Sequence, residues 1–176
     1  MSTLGINNMP IILETHKFTV AGHDKPHHDR NNGGHAKVSP KERYGDRTEM
    51  PTELYLSMMQ LVRVTGEAIT AVMRRKGVDV VRINYQDNGN WSYFPSMKRD
   101  PHIHVHLYVR SSDEKHPQGD ERFKAFPEAL VFPFVGDNLE YYESFQPYSE
   151  EDCADIRVEI ERLLETDKYK GVKENL

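Results

Sequence analysis

Leu54, Met58, Leu61, Val62, Thr65, Ile69, Val72 and Met73 recur at three- and four-residue intervals, which predicts one long helix from about Thr52 to Lys76. Thr52 is placed to cap it, Glu53 sits in the first turn, and Arg74, Arg75 and Lys76 suit the negative end of the dipole, with Gly77 just beyond. One apolar stripe needs one partner surface, so this helix is expected to lie against a sheet. Strand patterns occur at Lys17–Ala21, at HAKVSPK (closed by Pro40) and at VDVVRINY, which ends at Tyr85 before the turn signal DNGN. A further alternating strand is DPHIHVHLYVR, residues 100–110. GHDKPHHDRNNGGH and SSDEKHPQGDE read as loops. Near the end Ser149 and Asp152 form a capping pair ahead of a helix whose stripe is Ile156, Ile160, Leu163 and Leu164. The order of elements predicts an α+β fold: a mostly antiparallel sheet, one long packing helix and a C-terminal helical extension.

The composition narrows the function classes. With 176 residues, 37% of them hydrophobic and 29% charged, the chain suits one compact domain, or a domain with an appendage. A formal charge of −5 argues against a nucleic-acid partner, which needs a basic stripe, but leaves room for a small phosphorylated ligand. Cys153 is the lone cysteine, so neither an intrachain disulfide nor a cysteine zinc site can form. No apolar run reaches membrane length, and MSTLGINNMPIIL lacks the layout of a signal peptide, so a soluble cytoplasmic protein is expected.

The strand at residues 100–110 carries the candidate chemistry. Successive side chains on a strand point to opposite faces, so His102, His104 and His106 share one face while Ile103, Val105 and Leu107 enter the core. Three registered imidazoles suit either a metal site, with His102 and His104 as ligands, or covalent catalysis with one ring as nucleophile. Histidine fits phosphorus chemistry because a neutral ring nitrogen is available near neutral pH while a neighbour still handles a proton. Splitting a slow displacement at phosphorus into two steps lowers each barrier.

HIHVHLY fits the signature of the histidine-triad superfamily, in which three histidines alternate with apolar residues. GGHAKVSPKERY resembles the strand near the start of that family's domain, and VRINYQDNGN its amide-bearing strand and turn. The likeness covers about residues 16–110. It implies a nucleotide hydrolase or nucleotidyl transferase that acts at an α-phosphate through a nucleotidyl-histidine. His104 would be the nucleophile, His102 would orient it largely through its backbone, and His106 would contact the phosphate and support proton delivery. Gln86 would face phosphate oxygens, and His35 would lie beside the nucleoside. Substrates would be a dinucleoside polyphosphate, a nucleoside phosphoramidate or a nucleotidyl adduct. The resemblance also implies a homodimer and no required metal, although magnesium can accompany a polyphosphate.

One segment departs from the family's pattern. Where many members carry Gly-Gln-Ser/Thr before the triad, this chain has SMKRDP, and Lys98 and Arg99 stand in place of the hydroxyl and amide donors. This departure keeps a rival open, a nucleotide-binding protein of the same fold with little or no turnover. Residues 1–110 are read as the catalytic domain and 111–176 as an extension packed on that domain or on a dimer surface. The loop histidines His23, His27 and His28 lie near Asp24 and Asp29 and form a second candidate metal cluster. His16 and His116 are expected at the surface.

Overall fold

The computed structural model describes residues 9–87, 100–112 and 143–176. Its strands are β1 (Ile11–Glu14), β2 (Phe18–Gly22), β3 (His35–Pro40), β4 (Val80–Gln86) and β5 (Val105–Ser111). They form one sheet in the order β1-β2-β3-β5-β4, and every neighbouring pair is antiparallel. Helix α1 spans Thr52–Arg75 and helix α2 spans Glu150–Leu164. The α+β architecture agrees with the sequence pattern. Strand β1 does not come from that pattern, because Ile11, Ile12 and Leu13 are too short a run to show a period. Its partner specifies it: Leu13 pairs with Val20 and Glu14 with Thr19.

The stripe on α1 is buried at Met58, Leu61, Val62, Thr65, Ile69, Val72 and Met73, with Leu54 partly buried beside them. Thr52 does not cap this helix. Pro51 holds the cap position without a side-chain hydrogen bond, and Thr52 is the first helical residue, so its hydroxyl lies one position too far along. The C-terminal helix follows its sequence signal closely. The Ser149 hydroxyl accepts from the Asp152 N–H at 3.0 Å, and the Asp152 carboxylate accepts from the Ser149 N–H at 3.1 Å.

Both helices supply one hydrophobic cluster. Helix α1 contacts β3, β4, β5 and α2, while α2 also contacts β1. Ile103, Val105, Leu107 and Val109 enter this cluster, together with Ile156, Ile160, Leu163 and Leu164 of α2. Fully burying an aliphatic side chain contributes about 1.5–3 kcal/mol relative to leaving it exposed, so Ile103, Val105, Leu107 and Val109 alone fix which way the histidine segment faces. Slipping it by one residue would send those four residues to the opposite face. Among the described residues no helix is long and apolar enough to cross a membrane.

Candidate active site

Strand β5 begins at Val105, so His102 and His104 precede the ladder instead of lying within it. The segment leading to it is tied by the Ile103 N–H, which donates to the Tyr44 carbonyl at 2.8 Å, and by the Pro101 carbonyl, which accepts from Arg43 Nε at 3.3 Å. The alternation survives, and Ile103 is buried on the same side as Val105 and Leu107.

Across the sheet His106 pairs with Lys37 of β3 on one side and with Gln86 of β4 on the other. His35 pairs with Tyr108. Directly opposed residues on neighbouring strands present their side chains to the same face. That face therefore carries Lys37, His106 and Gln86 in one row and His35 and Tyr108 in the next. His23, just past β2, stacks on His35 with ring centroids 4.6 Å apart and an interplanar angle of 12°.

The hydrogen bonds define a proton order. The His27 backbone N–H, which can only donate, bonds His35 Nδ1 at 3.2 Å. A neutral His35 then carries its hydrogen on Nε2, which lies 2.8 Å from His106 Nδ1. His106 in turn carries its hydrogen on Nε2, 2.8 Å from His104 Nε2. His104 is left with a lone pair on Nε2 and a hydrogen on Nδ1, which donates to the His102 carbonyl at 2.8 Å. That carbonyl can only accept, so both ends of the chain require the same arrangement.

Burial keeps these rings neutral. It lowers His104, His106 and His35 from the ordinary imidazole value, His35 far below it. His104 lowers the tendency of His106 to charge, and His106 lowers that of His35. The charge of Lys37 pushes His104 and His106 further down, while the His102 carbonyl and Asp87 oppose it at His104. His23, lowered to about 4, owes this first to burial and then to His27.

His35, His104 and His106 thus come together, with Gln86 across the strand from His106. His102 contributes its carbonyl, and its ring Nδ1 is buried with no hydrogen-bond partner among the described residues. Gln86 Oε1 is in the same condition. A half-turn of that amide would present N–H donors to the same space. Lys98 and Arg99 lie outside the described residues, as do His116 and most of the DNGN turn. His16 is exposed. The loop imidazoles pack over the site: His27 and His28 have centroids 6.1 and 5.5 Å from the Tyr108 ring. Among the described residues no group of three or more His, Cys, Asp or Glu is placed to hold a metal ion.

Three contributors escape the sequence pattern of alternating histidines. Lys37 was readable, since strand alternation puts it on the face of His35. Tyr108 was readable in the same way, two residues beyond His106. The His27 N–H was not, because a backbone donor has no sequence signature.

The fold has solved counterparts. A hypothetical histidine triad nucleotide-binding protein from Sulfolobus tokodaii matches with 18% identity over 89% of this chain and 87% of that chain, at a TM-score of 0.55. A zinc-bound histidine triad family protein from Mycobacterium smegmatis matches with 20% identity over 88% and 86%, also at 0.55. A histidine triad protein from Marinobacter aquaeolei matches with 18% identity over 90% of each chain, at 0.53. No protein-family model matches the chain, and no curated protein does. The chain has the fold of the histidine triad proteins.

Proposed function

We propose that the protein is a nucleotide hydrolase or nucleotidyl transferase acting at an α-phosphate, with His104 as nucleophile. One observation carries this reading: the hydrogen-bond order leaves the lone pair of a neutral imidazole on His104 Nε2, beside an N–H on His106. In the first step His104 Nε2 forms a bond to the α-phosphorus, and the bond from phosphorus to the leaving group breaks. The leaving group departs as its anion, or as an amine protonated from solvent, while the neutral His106 keeps its hydrogen and donates a hydrogen bond from Nε2. In the second step water or another acceptor displaces His104, and the acceptor's proton goes to solvent. Lys37 and Gln86 flank His106, the first as a charge and the second as a donor for phosphate oxygens.

Candidate substrates are a dinucleoside polyphosphate, a nucleoside phosphoramidate or a nucleotidyl adduct. Magnesium would arrive with a polyphosphate and take no ligand from the four imidazoles. We read the working form as a cytoplasmic homodimer built on β4, an edge strand of the described sheet with Val81 and Tyr85 exposed.

Incubation with labelled adenosine nucleotides tests the mechanism. Wild type is expected to retain acid-labile, base-stable label on the protein, and His104→Ala to lose both label and turnover. Equal turnover by the alanine variant would refute the assignment. Binding without turnover by wild type would instead support the nucleotide-binding rival.

A further inference from the structure

The proton order begins at a backbone group, the His27 N–H, so something must hold the loop that carries it. Between β2 and β3 the loop has only one turn of regular structure, Arg30–Asn32, capped by Asp29, whose Oδ1 accepts from the Asn31 N–H at 2.7 Å. The His23 N–H donates to the His35 carbonyl and the Gly34 N–H to the Asp29 carbonyl, and further anchors come from far along the chain. Asp29 Oδ2 accepts from the Gln146 N–H at 2.7 Å, and the Arg30 N–H donates to the Gln146 carbonyl at 2.9 Å. The Arg30 guanidinium donates to both oxygens of Asp152, each at 2.9 Å. Asp152 is 1% exposed and also receives Lys76 Nζ at 3.0 Å and the Ser149 N–H. The buried Tyr148 hydroxyl donates to the Gly33 carbonyl at 2.7 Å. A Cβ on Gly34 would lie 2.4 Å from the Tyr148 ring, so the loop and this segment are in close register.

We propose that Gln146–Asp152 is a positioning strap for the catalytic imidazoles: by clamping the loop it keeps the His27 N–H on His35 Nδ1 and so holds the lone pair on His104 Nε2. The inference rests on the functional reading above and adds a role for residues that touch none of the reacting atoms.

The chain of rings has two self-consistent proton orders. In the observed order every hydrogen points from His27 toward the His102 carbonyl. In the reverse order His35 carries its hydrogen on Nδ1, His106 on Nδ1 and His104 on Nε2. The attacking nitrogen is then protonated, and a bare His104 Nδ1 faces the His102 carbonyl, lone pair to lone pair. With the loop clamped, the His27 N–H would also meet an N–H on His35, so both ends oppose reversal. Releasing the loop removes one of those two penalties. It frees His35 Nδ1 to hold a hydrogen, and the nucleophile becomes protonated on the wrong nitrogen in a fraction of molecules.

The test compares wild type with Arg30→Gln and with Tyr148→Phe, the latter deleting one hydroxyl from a packed ring. Nitrogen-15 histidine spectra of the full-length protein identify which ring nitrogen bears each hydrogen, whether or not the protein turns over. Wild type is expected to show His35 protonated on Nε2 and His104 on Nδ1. In each folded variant the opposite tautomers are expected to appear at both rings. Turnover should fall about three- to tenfold in kcat with KM changed by less than about twofold, the upper figure corresponding to ~1.4 kcal/mol. If Arg30→Gln does not fold, Tyr148→Phe alone decides. A folded variant that keeps both rings in the wild-type tautomer overturns the strap. Failure of wild type to turn over, with tautomers behaving as expected, overturns the enzymatic reading and leaves the strap standing.

Discussion

Acidification from pH 7.5 to 5, with no mutation, should remove about 6 kcal/mol of the protein's stability. His35 and His106 are 1% and 6% exposed, and burial holds both far below the imidazole value of 6.5. A ring that stays neutral when folded but charges when unfolded gives the unfolded state extra protons below pH 6.5. Its contribution is complete above that value and is lost as the pH falls toward the folded pKa. At pH 5, 1.5 units below the unfolded value, each such ring costs about 2 kcal/mol, at 1.36 kcal/mol per unit. Those two rings together remove about 4 kcal/mol. His23, whose folded value is about 4 and whose side chain is 23% exposed, removes close to another 2 kcal/mol on the same arithmetic.

The total rivals the whole stability of an ordinary domain, about 5–15 kcal/mol. Carboxylates do not confuse this window. Asp152, Glu159 and Glu67 are held below their ordinary values of 3.8, 4.5 and 4.5, so their contributions disappear only at lower pH. Urea unfolding followed by far-ultraviolet circular dichroism at pH 7.5, 6.5, 5.8 and 5.0 measures the effect. Below pH 6 the slope should approach two to three protons per molecule. A slope under about half a proton would mean that the rings are not buried in neutral form, and the proton order would lose its basis.

Lys37→Met should move the acid limb of the kcat/KM profile to higher pH, because a charge that helps depress His104 is gone; no movement would remove Lys37 from the site. Gly33→Ala should cost more than about 2 kcal/mol in chemical denaturation. The backbone there has φ +114°, and a Cβ would sit 2.4 Å from a Val109 methyl. Replacing exposed Val81 with Asp should shift the sedimentation coefficient toward a monomer while leaving the circular dichroism spectrum intact; an unchanged coefficient would exclude β4 as the dimer contact.

The elements readable from the sequence are those whose burial repeats with a clear period. Helix α1 repeats its stripe over more than six turns, and α2 adds a capping box that leaves little freedom in where it starts. Strand β3 is marked by alternation and by Pro40, which closes it. Strand β1 failed that test because its four residues make less than one useful repeat, and its position is decided by the ladder it completes with β2. The cap of α1 misled for a local reason: Thr52 follows Pro51, and a threonine beside a helix start looks alike whether it lies at the cap or one residue inside.

The site shows the same division between periodic and non-local information. Alternation places His102, His104 and His106 against a buried aliphatic backing, and it equally places Lys37 beside His35. It cannot say which ring nitrogen is bare. That is settled by the His27 N–H at one end and the His102 carbonyl at the other, neither of which depends on side-chain identity. Residue type enters again only through what fixes the backbone: Asp29 and Arg30 in the loop, met by Gln146, Tyr148 and Asp152 more than a hundred residues later. An aspartate at the start of α2 reads as a helix cap, and it is one. Its carboxylate also accepts from Arg30 and Lys76, so one buried charge ends a helix, neutralises two cations and holds the loop on which the nucleophile's protonation depends. A sequence reading assigns that residue one task because local pattern supports only one, whereas packing gives it three.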